Sequence, residues 1–194
     1  MTEKEALKIF KSEKALLSGH FLLSSGLHSP NYIQCALLLQ KPWIAERLCK
    51  ALAQKLKKAK VKADVVIGPA LGGVVVAYEL GRALKVRSIF AERADGAFTL
   101  RRGFSVKKGE KVLVVEDVVT TGKSTNEVIE VVRQLEGKVA GVASIVDRSD
   151  LLLPFQMPFY SLLKVHIKTY KPEECPLCKE GEIALMKPGS RGLK

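Results

Sequence analysis

A chain of 194 residues, 47% apolar and 27% charged, has the size and balance of one globular domain with a hydrophobic core, which excludes a disordered or fibrous protein. Its net charge of +12 comes partly from one lysine-rich helix and its exit. Nucleic-acid binding would call for aromatic platforms or a known module beside the charge, and neither is present; a solvated lysine-rich face or a small polyanion steered into a cleft explains the charge equally well, and charge alone does not choose between them.

The chain opens with an amphipathic helix over residues 3–11 in MTEKEALKIFKSEKALLSG. That segment has no apolar signal-peptide core, and nowhere does the sequence approach the roughly 18 uninterrupted apolar residues of a spanning helix. A soluble, cytoplasmic protein without a membrane partner is therefore expected. GHFLLSSGLHSPNYIQCALLL then reads as short strands and turns. PWIAERLCKALAQKLKKA follows as a helix with Pro42 at its start. Arg47, Lys50, Lys55, Lys57, Lys58, Lys60 and Lys62 crowd this helix and its exit, and read as a solvated face.

Apolar, β-branched runs at 64–67, 88–91, 111–115 and 141–146 lack alternation, as strands buried on both faces of a parallel sheet do. GGVVVAYELGRALK and KSTNEVIEVVRQLEG separate them as helices, the second with Gly137 as its C-cap. The alternation predicts an α/β fold, a mainly parallel doubly wound sheet flanked by helices. We expect one domain over 1–194, its core at about 62–150, with a small hood built from 1–40 and the tail 151–194.

In such sheets ligands bind beyond the carboxyl ends of the strands, which points to GPALGG, ERADGAFTLRRGF, EDVVTTGKST and DRSD. The decisive segment is KVLVVEDVVTTGKST, a buried strand with two acids at its exit, then a hydroxyl- and glycine-rich loop and a helix. Backbone N–H groups at that helix start, with Thr120, Thr121, Ser124 and Thr125, make a phosphate cradle. Glu116 and Asp117 are placed to accept hydrogen bonds from sugar hydroxyls, so a ribose 5-phosphate fits. GKST is not a Walker A loop, because the position five residues before Gly122 is Asp117 rather than glycine, and GPALGG lacks the dinucleotide-binding spacing.

VLVVEDVVTTGKST resembles the signature of type I phosphoribosyltransferases, which bind 5-phosphoribosyl 1-diphosphate (PRPP). FLLSSGLHSPNYIQ, IVDRS, EECPLCKEG and PGSR extend the resemblance over nearly the whole chain, to the orotate phosphoribosyltransferases. The resemblance implies that Glu116 and Asp117 hold the ribose hydroxyls, with Asp117 counted among the catalytic residues. Val118, Val119, Thr120, Thr121, Gly122, Lys123 and Ser124 would wrap the 5-phosphate, and Ala70, Leu71 and Gly72 would form the diphosphate loop. Thr120, Arg148, Tyr32 and Ile33 would contact orotate, and Mg²⁺ would be held through PRPP rather than by protein ligands alone. ADGAFTLRRGF would close as a lid reaching a second subunit of a homodimer. This sequence departs from the family at Ser24, where a basic residue is usual, and at Leu71 and Gly72, where relatives carry a lysine. It departs again in a loop that lacks the usual lysine and histidine, which leaves the departing diphosphate to Arg93, Arg101 and Arg102.

Cys175 and Cys178 form a CPLC knuckle, half of a zinc site by spacing. A metal would need His166, Cys35, Cys49 or another subunit, so ordinary reduced cysteines are the expectation, and His20, His28 and His166 read as structural. Two rivals share the PRPP loop. A purine phosphoribosyltransferase should lack the early S-G-x-x-S-P segment, and a nucleic-acid-binding PRPP sensor would use the Lys50 to Lys62 face.

Overall fold

The computed structural model of the protein describes residues 1–23, 25–149 and 153–188. Ser24, the Asp150 end of DRSD and the PGSR segment beyond Pro188 lie outside the described residues.

Helix α1 (Glu3–Ser12) starts where Thr2 and Glu5 cap one another, the Glu5 N–H donating to Thr2 Oγ1 at 3.3 Å and the Thr2 N–H to Glu5 Oε2 at 2.7 Å. An antiparallel pair follows, β1 (Leu16–Leu22) and β2 (His28–Ile33). The apolar CALLL run, expected among strands and turns, instead winds one helical turn, α2 (Ala36–Leu39), before α3 (Pro42–Lys58). Pro42 opens α3, where its missing N–H costs nothing.

Strand β3 (Val65–Pro69), helix α4 (Gly72–Leu84), β4 (Arg87–Ala94), the short β5 (Ala97–Thr99), β6 (Lys111–Val119), α5 (Lys123–Gln134), β7 (Lys138–Asp147) and β8 (Phe159–Lys164) build the main sheet and its cover. The six-stranded order is β5-β4-β3-β6-β7-β8, parallel except for β5. A 3₁₀ turn (Pro172–Glu174), α6 (Pro176–Glu180) and β9 (Leu185–Met186) finish the described chain. There β9 lies parallel to β1 in a second sheet of order β2-β1-β9, tying the two ends of the chain together.

The lack of alternation in the strands has the cause their sequence implied. Leu113 and Val115 of β6 join Leu48, Leu52, Val76 and Leu80 of α3 and α4 in one buried cluster. Val112 and Val114 join Val128, Ile129 and Val132 of α5 in the other. Successive side chains thus reach opposite layers, and each layer removes them from water.

Two expected boundaries are corrected. Strand β6 does not end at Val115, because its ladder with the long β7 continues through Glu116↔Ser144, Val118↔Val146 and Val119↔Asp147. On the other side β3 stops pairing at Ile67↔Val114, so the two acids lie inside a strand but beside a neighbour that has peeled away. Gly137 is not the C-cap of α5. Leu135 is, and Glu136 takes the left-handed conformation at φ 56°. The N–H groups of Glu136 and Gly137 then close the helix end on the carbonyls of Arg133 and Val132, both at 2.9 Å.

A side chain at a left-handed position is strained, and the Lys108–Glu136 ion pair is too exposed to offset it. Glu136→Gly is expected to raise stability by about 0.5–1 kcal/mol in urea unfolding. An unchanged or lowered midpoint would contradict this account of the helix end.

Candidate active site

The main sheet reverses its winding between β3 and β6, since β4 was added on one side of β3 and β6 on the other. A crevice opens at such a switch point beyond the carboxyl ends of the strands. Its floor is Glu116 and Asp117. Its walls are the 70–72 loop after β3 and the 120–124 loop after β6.

Gly72 brings the walls together. A Cβ at this position would lie 2.6 Å from Asp117 Oδ1 and 2.8 Å from its Cγ, so only glycine lets the loop backbone approach the carboxylate. The Ala70–Leu71 peptide in the same loop is cis. Across the crevice Gly122 stands at φ 72°, and a Cβ there would meet Phe155 and Pro154 at 2.9 Å. Both conditions require glycine, and the tight turn aims the start of α5 at the crevice.

Helix α5 has no side-chain cap on its first turn. Its first intrahelical bond is Asn126 N–H to the Gly122 carbonyl at 2.8 Å, and the Lys123 N–H reaches only a long 3.4 Å contact with Thr121 Oγ1. Residues 116 and 118–125 line a small open pocket of about 50 Å³ at this point. N–H groups at a helix start, the positive end of its dipole and neighbouring hydroxyls make this pocket suited to an anion.

Burial, with the charge of Asp117 beside it, holds the Glu116 carboxyl well above the usual carboxylate range. Asp117 is also raised by burial, an effect opposed by the Val118 N–H and by hydrogen bonding to Glu116. Among the described residues neither acid forms an ion pair at 4.0 Å or less. Two half-buried carboxylates side by side without a cation are costly, and hydrogen-bond donors from a ligand would relieve that cost.

Tyr32 and Arg148 belong to the same neighbourhood. The Tyr32 hydroxyl is raised by burial and then by Asp117, and Arg148 opposes both. Arg148 leaves β7 with its N–H bonded to the Val119 carbonyl at 2.8 Å, and the Ser149 N–H and hydroxyl fasten the turn to Asp147 Oδ1 at 2.9 and 2.5 Å. Strand alternation separates Ile33 from Tyr32, and Ile33 is packed in the α3/α4 core.

Arg93, Arg101 and Arg102 lie on or just after the β4–β5 hairpin. Arg93 pairs with Glu127 and stacks over Phe98 at 4.2 Å. Arg102 pairs with Glu92 at 3.0 Å and Arg101 lies 3.9 Å from the same residue. The structure thus sets Gly72 against Asp117, gathers residues 118–125 around one pocket and couples Tyr32 to Asp117 and Arg148, while Arg93, Arg101 and Arg102 engage the acidic side chains of Glu127 and Glu92. The sequence reading did not foresee that Asp147 and Ser149 hold the Arg148 turn, though the D-x-S spacing of a side-chain-capped turn was there to be read.

Comparisons with known proteins agree with this geometry. The phosphoribosyl transferase domain family matches residues 37–176. An orotate phosphoribosyltransferase of Carboxydothermus hydrogenoformans is 60% identical over 95% of this chain and 96% of its own. The chain belongs to the orotate phosphoribosyltransferase family. A second relative of that name, from Caldanaerobacter subterraneus, is 56% identical over the full length of both chains. The crystal structure of orotate phosphoribosyltransferase from Aeropyrum pernix superposes with a TM-score of 0.68 at 29% identity, covering 81% of this chain and 92% of that one.

The raised Glu116 carboxyl favours the folded state only while protonated, so its contribution is complete below the ordinary value of 4.5 and is lost as pH rises through the folded value. Glu116→Gln, neutral throughout, is expected to melt above the wild type at neutral and alkaline pH and to converge with it in acid. A shift of equal size at every pH would show that Glu116 is not desolvated as described.

Proposed function

We propose that the protein transfers the 5-phosphoribosyl group of PRPP to orotate, giving orotidine 5′-phosphate and diphosphate in pyrimidine biosynthesis. The observation that carries this reading is the pairing of a ribose-sized acidic floor, Glu116 and Asp117, with an anion pocket at the start of α5. Relatives named for this activity over the whole chain favour a pyrimidine over a purine acceptor.

In this reading Glu116 and Asp117 accept hydrogen bonds from the ribose hydroxyls, and residues 118–124 hold the 5-phosphate by backbone N–H and hydroxyl donors. The 70–72 backbone borders the diphosphate. Arg148, with Thr120, pairs the orotate carboxylate through two parallel hydrogen bonds, and Tyr32 covers the ring. A ring nitrogen of the orotate anion forms the new bond to the anomeric carbon as the bond to diphosphate breaks, so no protein base is needed. The chain supplies orientation of two anions and a positive field. Fixed carboxylates beside the ribose also favour the positive charge that develops on the sugar, which is why Asp117 counts as catalytic.

The oxygen-only donors of this corner suit a hard divalent cation, and Mg²⁺ bound with PRPP would neutralise charge on the leaving group. Residues 94–104, the turn after β4 with β5 and the segment that follows it, serve as the lid. Arg93, Arg101 and Arg102 exchange their Glu127 and Glu92 partners for diphosphate on closure. The exposed side chains of Leu71, just before α4, and of Val75 and Tyr78 on α4, with Trp43 of α3 also exposed, support a homodimer. No helix among the described residues is long and apolar enough to cross a membrane, and we assign the enzyme to the cytoplasm. We likewise read the chain as a single domain with a hood over its core.

A panel of PRPP and Mg²⁺ with orotate, uracil, hypoxanthine or adenine tests the assignment. Diphosphate release is expected with orotate alone, and release with a purine but not orotate would overturn it. Arg148→Ala is expected to lower kcat/KM for orotate by about 10–100-fold, the worth of hydrogen bonds to a charged group, with the KM for PRPP nearly unchanged.

A further inference from the structure

The CPLC knuckle finds its missing half where the sequence did not look for it. His20 on β1 and His28 at the start of β2 converge on Cys175 and Cys178, and one ligand atom from each lies within 4.8 Å of every other. The hairpin register explains the approach. Leu22 faces His28 across the ladder, and His20, two residues before Leu22, projects to the same side. The knuckle at the start of α6 closes on that side, its Cys175 carbonyl accepting from the Lys179 N–H at 3.3 Å. Cys35 and Cys49, which the sequence offered as partners, are packed instead in the α3/α4 core.

The spacing is that of a coordination shell. Bonds of about 2.0–2.1 Å to nitrogen and about 2.3 Å to sulfur at tetrahedral angles give edges of about 3.3 Å between nitrogens and about 3.6 Å between nitrogen and sulfur. Here His20 Nε2 lies 3.1 Å from His28 Nδ1, 3.5 Å from Cys175 Sγ and 3.6 Å from Cys178 Sγ, and Cys178 Sγ lies 3.2 Å from His28 Nδ1. The other ring nitrogen of His20 faces the Ile183 carbonyl at 3.1 Å. Donation from that Nδ1–H leaves Nε2 with its lone pair directed at the cluster, the tautomer a metal-bound imidazole adopts.

His20, His28 and Cys175 are buried and Cys178 is exposed. A shell closed by four protein atoms with one edge open to solvent suits a structural ion that can still enter. Two thiolates and two imidazoles select a borderline-soft cation over Mg²⁺ or Ca²⁺.

We propose that His20 Nε2, His28 Nδ1, Cys175 Sγ and Cys178 Sγ bind a structural Zn²⁺ that staples the carboxyl-terminal tail to the β1–β2 hairpin. The two thiols lose their protons to solvent as the ion binds. This inference stands apart from the transferase reading. Its consequence reaches the site all the same, because β2 carries Tyr32 and the staple fixes the hairpin from which Tyr32 faces Asp117.

The test is the metal content of the untagged full-length chain by plasma mass spectrometry, with X-ray absorption at the zinc edge. One zinc per chain is expected, with two sulfur and two nitrogen neighbours. Chelation should lower the melting temperature by about 5 °C or more, restored by added zinc. Cys175→Ser/Cys178→Ser should lose the zinc and His166→Ala should keep it. Should the double variant not fold, cobalt(II) added to the metal-stripped wild type decides, since thiolate-to-cobalt charge-transfer bands are expected from this shell. A wild type that binds added zinc and cobalt more weakly than about 1 μM, or binds them through oxygen alone, would overturn the proposal.

Discussion

The organising constraint of this molecule is the placement of two adjacent carboxylates in a half-desolvated corner where, among the described residues, neither forms an ion pair at 4.0 Å or less. Glu116 and Asp117 are kept in strand geometry by β7, which pairs with β6 through Val119↔Asp147. They are opened to a ligand because β3 leaves the ladder after Ile67↔Val114. Burial penalises both charges. The folded protein therefore carries strain that a polyhydroxylated ligand relieves, and packing in the two core layers sustains it.

Much else follows from that corner. Gly72 has no side chain because one would strike Asp117, and this lets the loop after β3 close over the acids. Gly122 turns the chain left-handed so that the uncapped N–H groups of α5 face the same crevice. The positive end of a helix and a pair of acids are then held a few residues apart. That charge pattern matches a ribose phosphate, whose hydroxyls seek acceptors and whose phosphate seeks donors.

The parallel core was legible because burial on both faces writes continuous β-branched runs into β3, β6 and β7, whereas β4, expected to be buried on both faces too, buries only Ile89 and Ala91 in alternation. The acids and the TTG loop were legible because their chemistry is local. What was not legible depended on partners distant in sequence. The length of β6 was set by β7, and the end of α5 by a left-handed Glu136 that no glycine preference announces. The knuckle's partners were hidden for the same reason. His20 and His28 meet the cysteines only because β9 and α6 return to the amino-terminal hairpin, a contact spanning 155 residues from His20 to Cys175.

The central claim is that Glu116 and Asp117 grip the ribose of PRPP, and calorimetric titration of PRPP with Mg²⁺ into Glu116→Gln/Asp117→Asn tests it most directly. Loss of two charged acceptors predicts a Kd raised by about 100-fold or more while the far-ultraviolet circular dichroism stays that of the wild type. A folded double variant that binds PRPP within about twofold of the wild type would contradict the account.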